Sequence, residues 1–311
     1  MIKYVAKRIA IAIATLFVIL FILFMMLELM PGSPFNDEKL SEEQIMVLKE
    51  KYGLDDPVIV RFGRYIANMV TGDFGVSYVI QVNMPISDML AARFPVTIRI
   101  GCQALLVGVF FGLILGIFAA LRHNSIFDTG ATLLSMLGAS IPSYVFALGL
   151  VYFLAFKAGW FPLLYSSQEE FRSTILPTIA LGMSPISSIA RFSRSEMIEV
   201  MGSEYMLLAE AKGIGKFRRI VVHALRNALI PILTIVAPML VGMITGSTVV
   251  ENIFSIPGIG NLFVNAIQVN DYNVVIALAF VFSAVYIFMM LAVDILYGII
   301  DPRIRLAGGE K

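Results

Sequence analysis

The chain has 311 residues, of which 59% are apolar and 14% charged, with a formal net charge of +1 and a mean hydropathy of +0.86. Soluble domains carry about 45–50% apolar and about 25% charged residues, so this composition excludes an ordinary soluble domain, and the net charge offers nothing to recruit nucleic acid. The one cysteine, Cys102, lies in an apolar stretch, which rules out an intrachain disulfide or a cysteine metal site and marks it as a small buried apolar residue.

A bilayer core about 30 Å thick needs roughly 20 apolar helical residues. Six runs meet that length, near 9–30, 97–121, 131–156, 175–191, 228–250 and 274–300, which predicts an all-α integral membrane protein with six transmembrane helices. The first run follows Lys3, Lys7 and Arg8. It is too long for a signal peptide and ends in Leu27-Glu28-Leu29-Met30-Pro31 rather than a small-residue cleavage site, so it reads as a retained anchor.

In the long loop that follows, 31–95, Ser41-Glu42-Glu43-Gln44 is a capping box. Ile45, Leu48 and Tyr52 continue it at helical spacing until Gly53. Ile59, Phe62, Ile66 and Met69 mark a second short helix after Pro57, so the loop is expected to form a small helical cap on the outer surface. In the second span Gly108, Gly112 and Gly116 share one helix face and let another backbone approach closely; Gly242 and Gly246 repeat the pattern in the fifth. The fourth span is the weakest, interrupted by Pro177, Pro185 and several serines, which membrane helices tolerate when neighbours satisfy the freed backbone groups.

Basic residues fix the orientation. Lys3, Lys7 and Arg8, then Arg122, then Arg191, Arg194, Lys212, Lys216, Arg218, Arg219 and Arg226, then Arg303, Arg305 and Lys311 all fall on one side, which is expected to be the cytoplasm. The loop after the fifth span has Glu251 and Asp271 and no Lys or Arg, as suits the outside. Both termini are then cytoplasmic.

Catalytic patterns are missing. The two histidines, His123 and His223, lie outside the spans, so the serines of the fourth span have no base to pair with and no metal-ligand cluster forms. The string nearest to a phosphate-cradling loop, Gly213-Ile214-Gly215-Lys216-Phe217, has Phe217 in place of the Mg²⁺-binding hydroxyl and Glu210 in place of the first glycine. The chain is therefore expected to be no enzyme and to hold no cofactor or metal. Glu28 and Asp294 fall within apolar runs, where a charge is costly; interfacial or interhelical contacts explain them more simply than proton coupling.

The loop between the fourth and fifth spans is the most informative. Glu204-Tyr205-Met206-Leu207-Leu208-Ala209-Glu210-Ala211-Lys212-Gly213 reads as a helix and a glycine turn, and a second helix through His223-Ala224-Leu225-Arg226-Asn227 runs into the fifth span. The apolar side of Tyr205, Leu208, Ala209 and Ala211 can enter a protein groove or lie on lipid with Lys216, Arg218 and Arg219 at the head groups; the pattern alone leaves both open.

The segment resembles the EAA loop of ATP-binding-cassette (ABC) importer permeases in its peptide-family form, Ala-x-Ala-Lys-Gly followed by His-Ala-Leu-Arg-Asn-Ala-Leu-Ile-Pro. Leu207 and Leu208 replace the Glu and Ala of the general motif and His223 replaces an Ile, as in the peptide branch. Further strings are similar to oligopeptide permease B-type subunits in the same order. They are Met30-Pro31-Gly32-Ser33-Pro34-Phe35, Tyr52-Gly53-Leu54-Asp55-Asp56-Pro57, Gly72-Asp73-Phe74-Gly75, Phe94-Pro95-Val96-Thr97, Glu251-Asn252-Ile253-Phe254-Ser255-Ile256-Pro257-Gly258-Ile259-Gly260 and Asp301-Pro302-Arg303-Ile304-Arg305. Dipeptide, glutathione and nickel permeases share much of this pattern.

The resemblance implies the type I ABC importer permease fold. Residues 1–93 would form the first helix and an extracytoplasmic loop, 94–300 the five-helix transport domain with its coupling loop at 203–231, and 301–311 a cytoplasmic tail. It implies oligopeptide import across the cytoplasmic membrane of a prokaryote. A homologous second permease, two ABC ATPase subunits carrying ATP and Mg, and an extracytoplasmic peptide-binding protein would be the partners, with membrane lipid around them. Glu204, Tyr205, Leu208, Ala209, Ala211, Lys212 and Gly213 would form the ATPase-coupling loop. An ion-coupled secondary transporter is the rival; it predicts polar residues at mid-span and internal symmetry, and neither is clear in the chain.

Overall fold

The computed structural model describes residues 2–29 and 56–300; the capping-box helix at 41–53 and the strings at 30–35 and 301–305 lie outside the described residues. In chain order the helices are α1 (Ile2–Glu28), α2 (Val58–Val70), α3 (Ile86–Leu121), α4 (Ile126–Ser140) and α5 (Ser143–Leu150), which continues as a π-helical segment, Val151–Lys157. Then come α6 (Glu170–Met201), α7 (Glu204–Ala211), α8 (Lys216–Arg218) with a π-helical turn at Arg219–Ala224, α9 (Leu225–Gly246), α10 (Thr248–Ile253), α11 (Ile259–Gln268) and α12 (Tyr272–Ile300). Among the described residues, five helices are long and apolar enough to span a bilayer, and α4 with α5 makes a sixth crossing if that bent pair counts as one.

The chain forms two compact units, Met1–Thr97 with Pro257–Leu291 and Ile98–Ile256 with Ala292–Lys311. In the first, Pro57 starts α2 and the helix turns Phe62 and Met69 inward. Phe62 meets Phe17 and Phe21 edge-on and Phe24 at a tilt, with ring centroids 5.3–5.4 Å apart. Such contacts each contribute about 0.5–1.5 kcal/mol beyond area burial. Phe17 to Phe24 covers about 10 Å of helix, so Phe62 of α2 is seated on the side of α1. The core beneath includes Ile86, Met89, Ile259, Leu262 and Leu278.

In the second unit α6 is central, with α4, α5, α9 and α10 packed on it. Of its most apolar stretch 67% is buried inside the chain, against 11% for α1. That burial explains the weak apolar signal of the fourth span: a helix surrounded by protein need not be apolar on every side. A Cβ at Gly108 would collide with Pro185, one at Gly112 would lie 2.8 Å from Ile189 Cβ, and one at Gly116 would collide with Ser193. The paired numbers rise together, so α3 and α6 run parallel. The chain must therefore return across between them, and α4 with α5 is what brings it back. Gly138 of α4 faces Ser187 of α6 with equally little room. Gly242 differs from expectation: it lies on an exposed face of α9, and a Cβ there would meet nothing within 4 Å.

The third span also departs from expectation. The run 131–156 is two helices meeting at 99°. Pro142 caps α5 and disfavours helix at the residue before it, so Ile141 is extended at φ −85°, ψ 120°. Apolar run length registers neither effect. Span α3 begins well before 97 and carries Pro95 inside it, and the segment after the fifth span, expected only as an outer loop, folds into α10 and α11.

Candidate functional site

Helix α6 ends at Met201 and the chain turns through Gly202 and Ser203 into α7. Ser203 has extended backbone, φ −75° and ψ 154°, as an N-cap residue requires, but its hydroxyl donates to the Val200 carbonyl at 2.6 Å. Met206 and Ala209 face inward at 3% and 6% exposure. Met206 packs with Met197, Ala224 and Ala228. At the far end Gly213 N–H donates to Glu210 O at 2.9 Å and Ile214 N–H to Ala209 O at 3.1 Å. That pair of bonds is the Schellman arrangement, and it needs a left-handed residue, supplied by Gly213 at φ +73°. Arg219, 14% exposed, holds Glu210 at 2.8 Å and so ties α7 to the turn that leads into α9.

The outward arc is apolar at its centre. Leu207 is 61% and Leu208 56% exposed, Tyr205 42%, and Phe217 beyond the turn 81%. Glu204, Glu210, Ala211 and Lys212 are exposed around them. Ala209 is a correction: expected on the same apolar side as Tyr205 and Leu208, it sits one turn after Met206 on the inward face. Its small side chain lets α7 approach the π-helical turn of its own chain, since α7 packs against that turn.

Sequence reasoning used Asp271 only as an acid on the outer loop. Its side chain is fully buried, and its carboxylate accepts the Ser77 hydroxyl at 2.6 Å and the backbone N–H groups of Tyr78, Val79 and Ile80 at 3.2, 3.0 and 3.1 Å. A buried carboxylate needs such a set of donors. The turn it holds is also closed by a bridge between Val76 and Pro85. The available signal was Asn270-Asp271 directly before a long apolar run, a turn followed by a helix start. Glu251 is likewise fully buried and accepts the Ser247 hydroxyl at 2.8 Å. Among the described residues no group of His, Cys, Asp or Glu could hold a metal ion.

Residues 112–306 match the family described as binding-protein-dependent transport system inner membrane component, and residues 1–101 match the N-terminal domain of such membrane components. The chain belongs to this family. It is 43% identical to the dipeptide transport system permease protein DppB of Lactococcus lactis over 98% of this chain and 100% of that protein. It is 40% identical to the oligopeptide transport system permease protein OppB of Salmonella typhimurium over the same shares. Among solved structures, the MetNI methionine ABC transporter in inward-facing conformations matches with a TM-score of 0.56 at 14% identity, over 68% of this chain and 96% of that one. An amino acid ABC transporter matches at 0.53 and 16% identity, over 70% and 94%. These distant likenesses show that the permease shares their fold.

Proposed function

We propose that this permease is the membrane-spanning subunit of an importer of peptides, oligopeptides foremost and dipeptides as the alternative, driven by ATP hydrolysis on separate ATPase subunits. The similarity to dipeptide and oligopeptide permeases over nearly the full chain supports the cargo. The permease itself hydrolyses nothing and carries no cofactor. It works with a second homologous permease, two ATPases and an extracytoplasmic peptide-binding protein in the cytoplasmic membrane of a prokaryote. Both termini and α7 are cytoplasmic, as the basic residues divide.

The observation that carries this reading is the outward arc of α7. A short helix held by its own core contacts, with Leu207 and Leu208 more than half exposed, offers a helix face to a groove on another protein. The ATPase is that partner. Its closure on ATP moves α7, and the membrane helices change access as rigid bodies.

The test is uptake of a radiolabelled dipeptide and a radiolabelled pentapeptide into proteoliposomes holding the permease pair with its ATPases and binding protein. Uptake is expected to require ATP and to ignore a collapsed proton gradient. Uptake driven by a proton gradient without ATP overturns the reading. For orientation, single cysteines at Val82 and Lys216 in a cysteine-free background report sidedness: an impermeant reagent added to intact cells is expected to label position 82 and spare 216. The reverse pattern inverts the topology.

A further inference from the structure

We propose that the ion pair between the buried Asp128 and the partly buried Arg194 is a positioning element that makes α4 travel with α7, and that transport depends on it; the proposal rests on the importer reading above. Asp128 lies in the first turn of α4 and is 3% exposed. Its Oδ1 accepts from Arg194 Nε at 2.5 Å and its Oδ2 from Arg194 Nη2 at 2.8 Å, the two-pronged fork of arginine on carboxylate. The same Oδ2 accepts the Asn124 N–H at 2.9 Å and has His123 Nδ1 at 3.1 Å, while Asn124 takes the left-handed φ of 61° that aims this turn. Ser125 caps the helix by accepting the Asp128 N–H at 3.4 Å. The whole 123–128 turn is thus organised around one carboxylate that points at α6.

Arg194 stands seven residues before the end of α6, about 10 Å of rigid helix ahead of the turn into α7. Near it α6 is closely packed at two points. Ser193 fills the space beside Gly116 of α3, and Ser187 fills that beside Gly138 of α4. A displacement imposed on α7 therefore reaches Arg194 across the two-residue turn Gly202–Ser203 and the last two turns of α6, and Asp128 passes it to the start of α4. From there it enters the bent pair α4 and α5.

An ion pair whose carboxylate is buried is a poor choice for stability alone, because apolar residues of similar volume often serve as well. What the fork adds is register, since a small slip breaks both of its bonds. Sequence and packing thus place a geometrically strict joint where α7 must be linked to the bent span. The other route out of α7, through Glu210 and Arg219 into α9, rests on a pair whose carboxylate is 63% exposed, a looser joint.

The experiment uses the complete transporter in proteoliposomes, comparing wild type, Asp128→Leu with Arg194→Met, and the charge exchange Asp128→Arg with Arg194→Asp. Three quantities are read: recovery of the ATPase with the permease, ATP hydrolysis, and uptake of the labelled pentapeptide per ATP. The apolar pair is expected to assemble and hydrolyse ATP while uptake per ATP falls about tenfold, in the range of ordinary coupling energies. The exchanged pair keeps opposite charges but leaves the Asn124 N–H without its acceptor, so it is expected to recover only a small part of that loss. Uptake per ATP within twofold of wild type in the apolar pair overturns the proposal. So does failure of the apolar pair to assemble, which would assign the ion pair to folding. A wild-type complex that takes up no peptide would instead count against the importer reading.

Discussion

The turn at 77–80 buries the Asp271 carboxylate and satisfies it with four donors, whereas the turn into α7 leaves Leu207 and Leu208 more than half exposed. Both segments link helices outside the apolar spans, and both are pinned to their own unit by a handful of contacts. The first is complete within the chain, because every strong polar group it buries has a partner there. The second is complete only on its inner face, where Met206 and Ala209 are buried. A change in the first should therefore act on folding, and a change on the outer face of the second on association.

The largest effect is expected at Asp271. Asp271→Ala removes the acceptor from three part-buried backbone N–H groups and one buried hydroxyl, and donors left unsatisfied away from water cost about 1–3 kcal/mol each. Allowing for water reaching some of them, the loss is on the order of 4 kcal/mol. It is measured as a lower unfolding temperature in detergent and a lower level in the membrane. A change below about 1 kcal/mol would mean that the nest does not hold the turn.

Leu208→Arg sharpens the contrast. The residue is 56% exposed, so unfolding is expected at the wild-type temperature. Recovery of the ATPase should fall by about 30-fold, corresponding to a hot-spot loss of about 2 kcal/mol. An interfacial helix on lipid would instead accept the arginine, so wild-type ATPase recovery breaks the docking assignment. Ala209→Arg is not an equivalent probe, because it places the charge inside the chain.

Gly213→Val tests the turn. Gly213 has open space around it but a φ of +73°, and a β-branched residue there is strained by about 1–2 kcal/mol. Uptake and ATPase recovery are expected to fall moderately, and Gly213→Asn to restore most of both, since asparagine tolerates the left-handed region. Equal loss in the two variants would mean that the conformation is not what matters.

The smallest effect is expected at Glu210→Gln. The carboxylate is 63% exposed, and exposed ion pairs are worth about 0–1 kcal/mol. Uptake should stay within about twofold of wild type. A large loss would make the Glu210–Arg219 contact part of the transmission route and weaken the assignment of that route to Asp128 and Arg194.

The spans were legible in the sequence because the length of an apolar run is a one-dimensional property that a bilayer tests directly. The same holds for α2, whose Phe62 and Met69 recur at helical spacing, and for the glycine row at 108, 112 and 116, a pattern within one helix. Which helix those glycines face was not legible; Pro185, Ile189 and Ser193 lie some 75 residues away, and only packing pairs them. The helix–glycine turn at 204–213 was legible as well, since its stop signal is local.

Tertiary structure alone decided three things. Pro142 locally breaks a run whose length reads as one helix, but the 99° between the two halves depends on what packs against each. Ala209 faces inward although its neighbours face out, because the π-helical turn at Arg219–Ala224 lies on that side of α7. Asp128 and Asp271, unremarkable as letters, become the polar joints of the two units, because a buried charge takes its role from the donors brought to it. For Asp128 the fork comes from Arg194, 66 residues away, and for Asp271 the donors come from 191–194 residues away. Periodicity and spacing report what a segment does to itself; these joints exist only where distant segments meet.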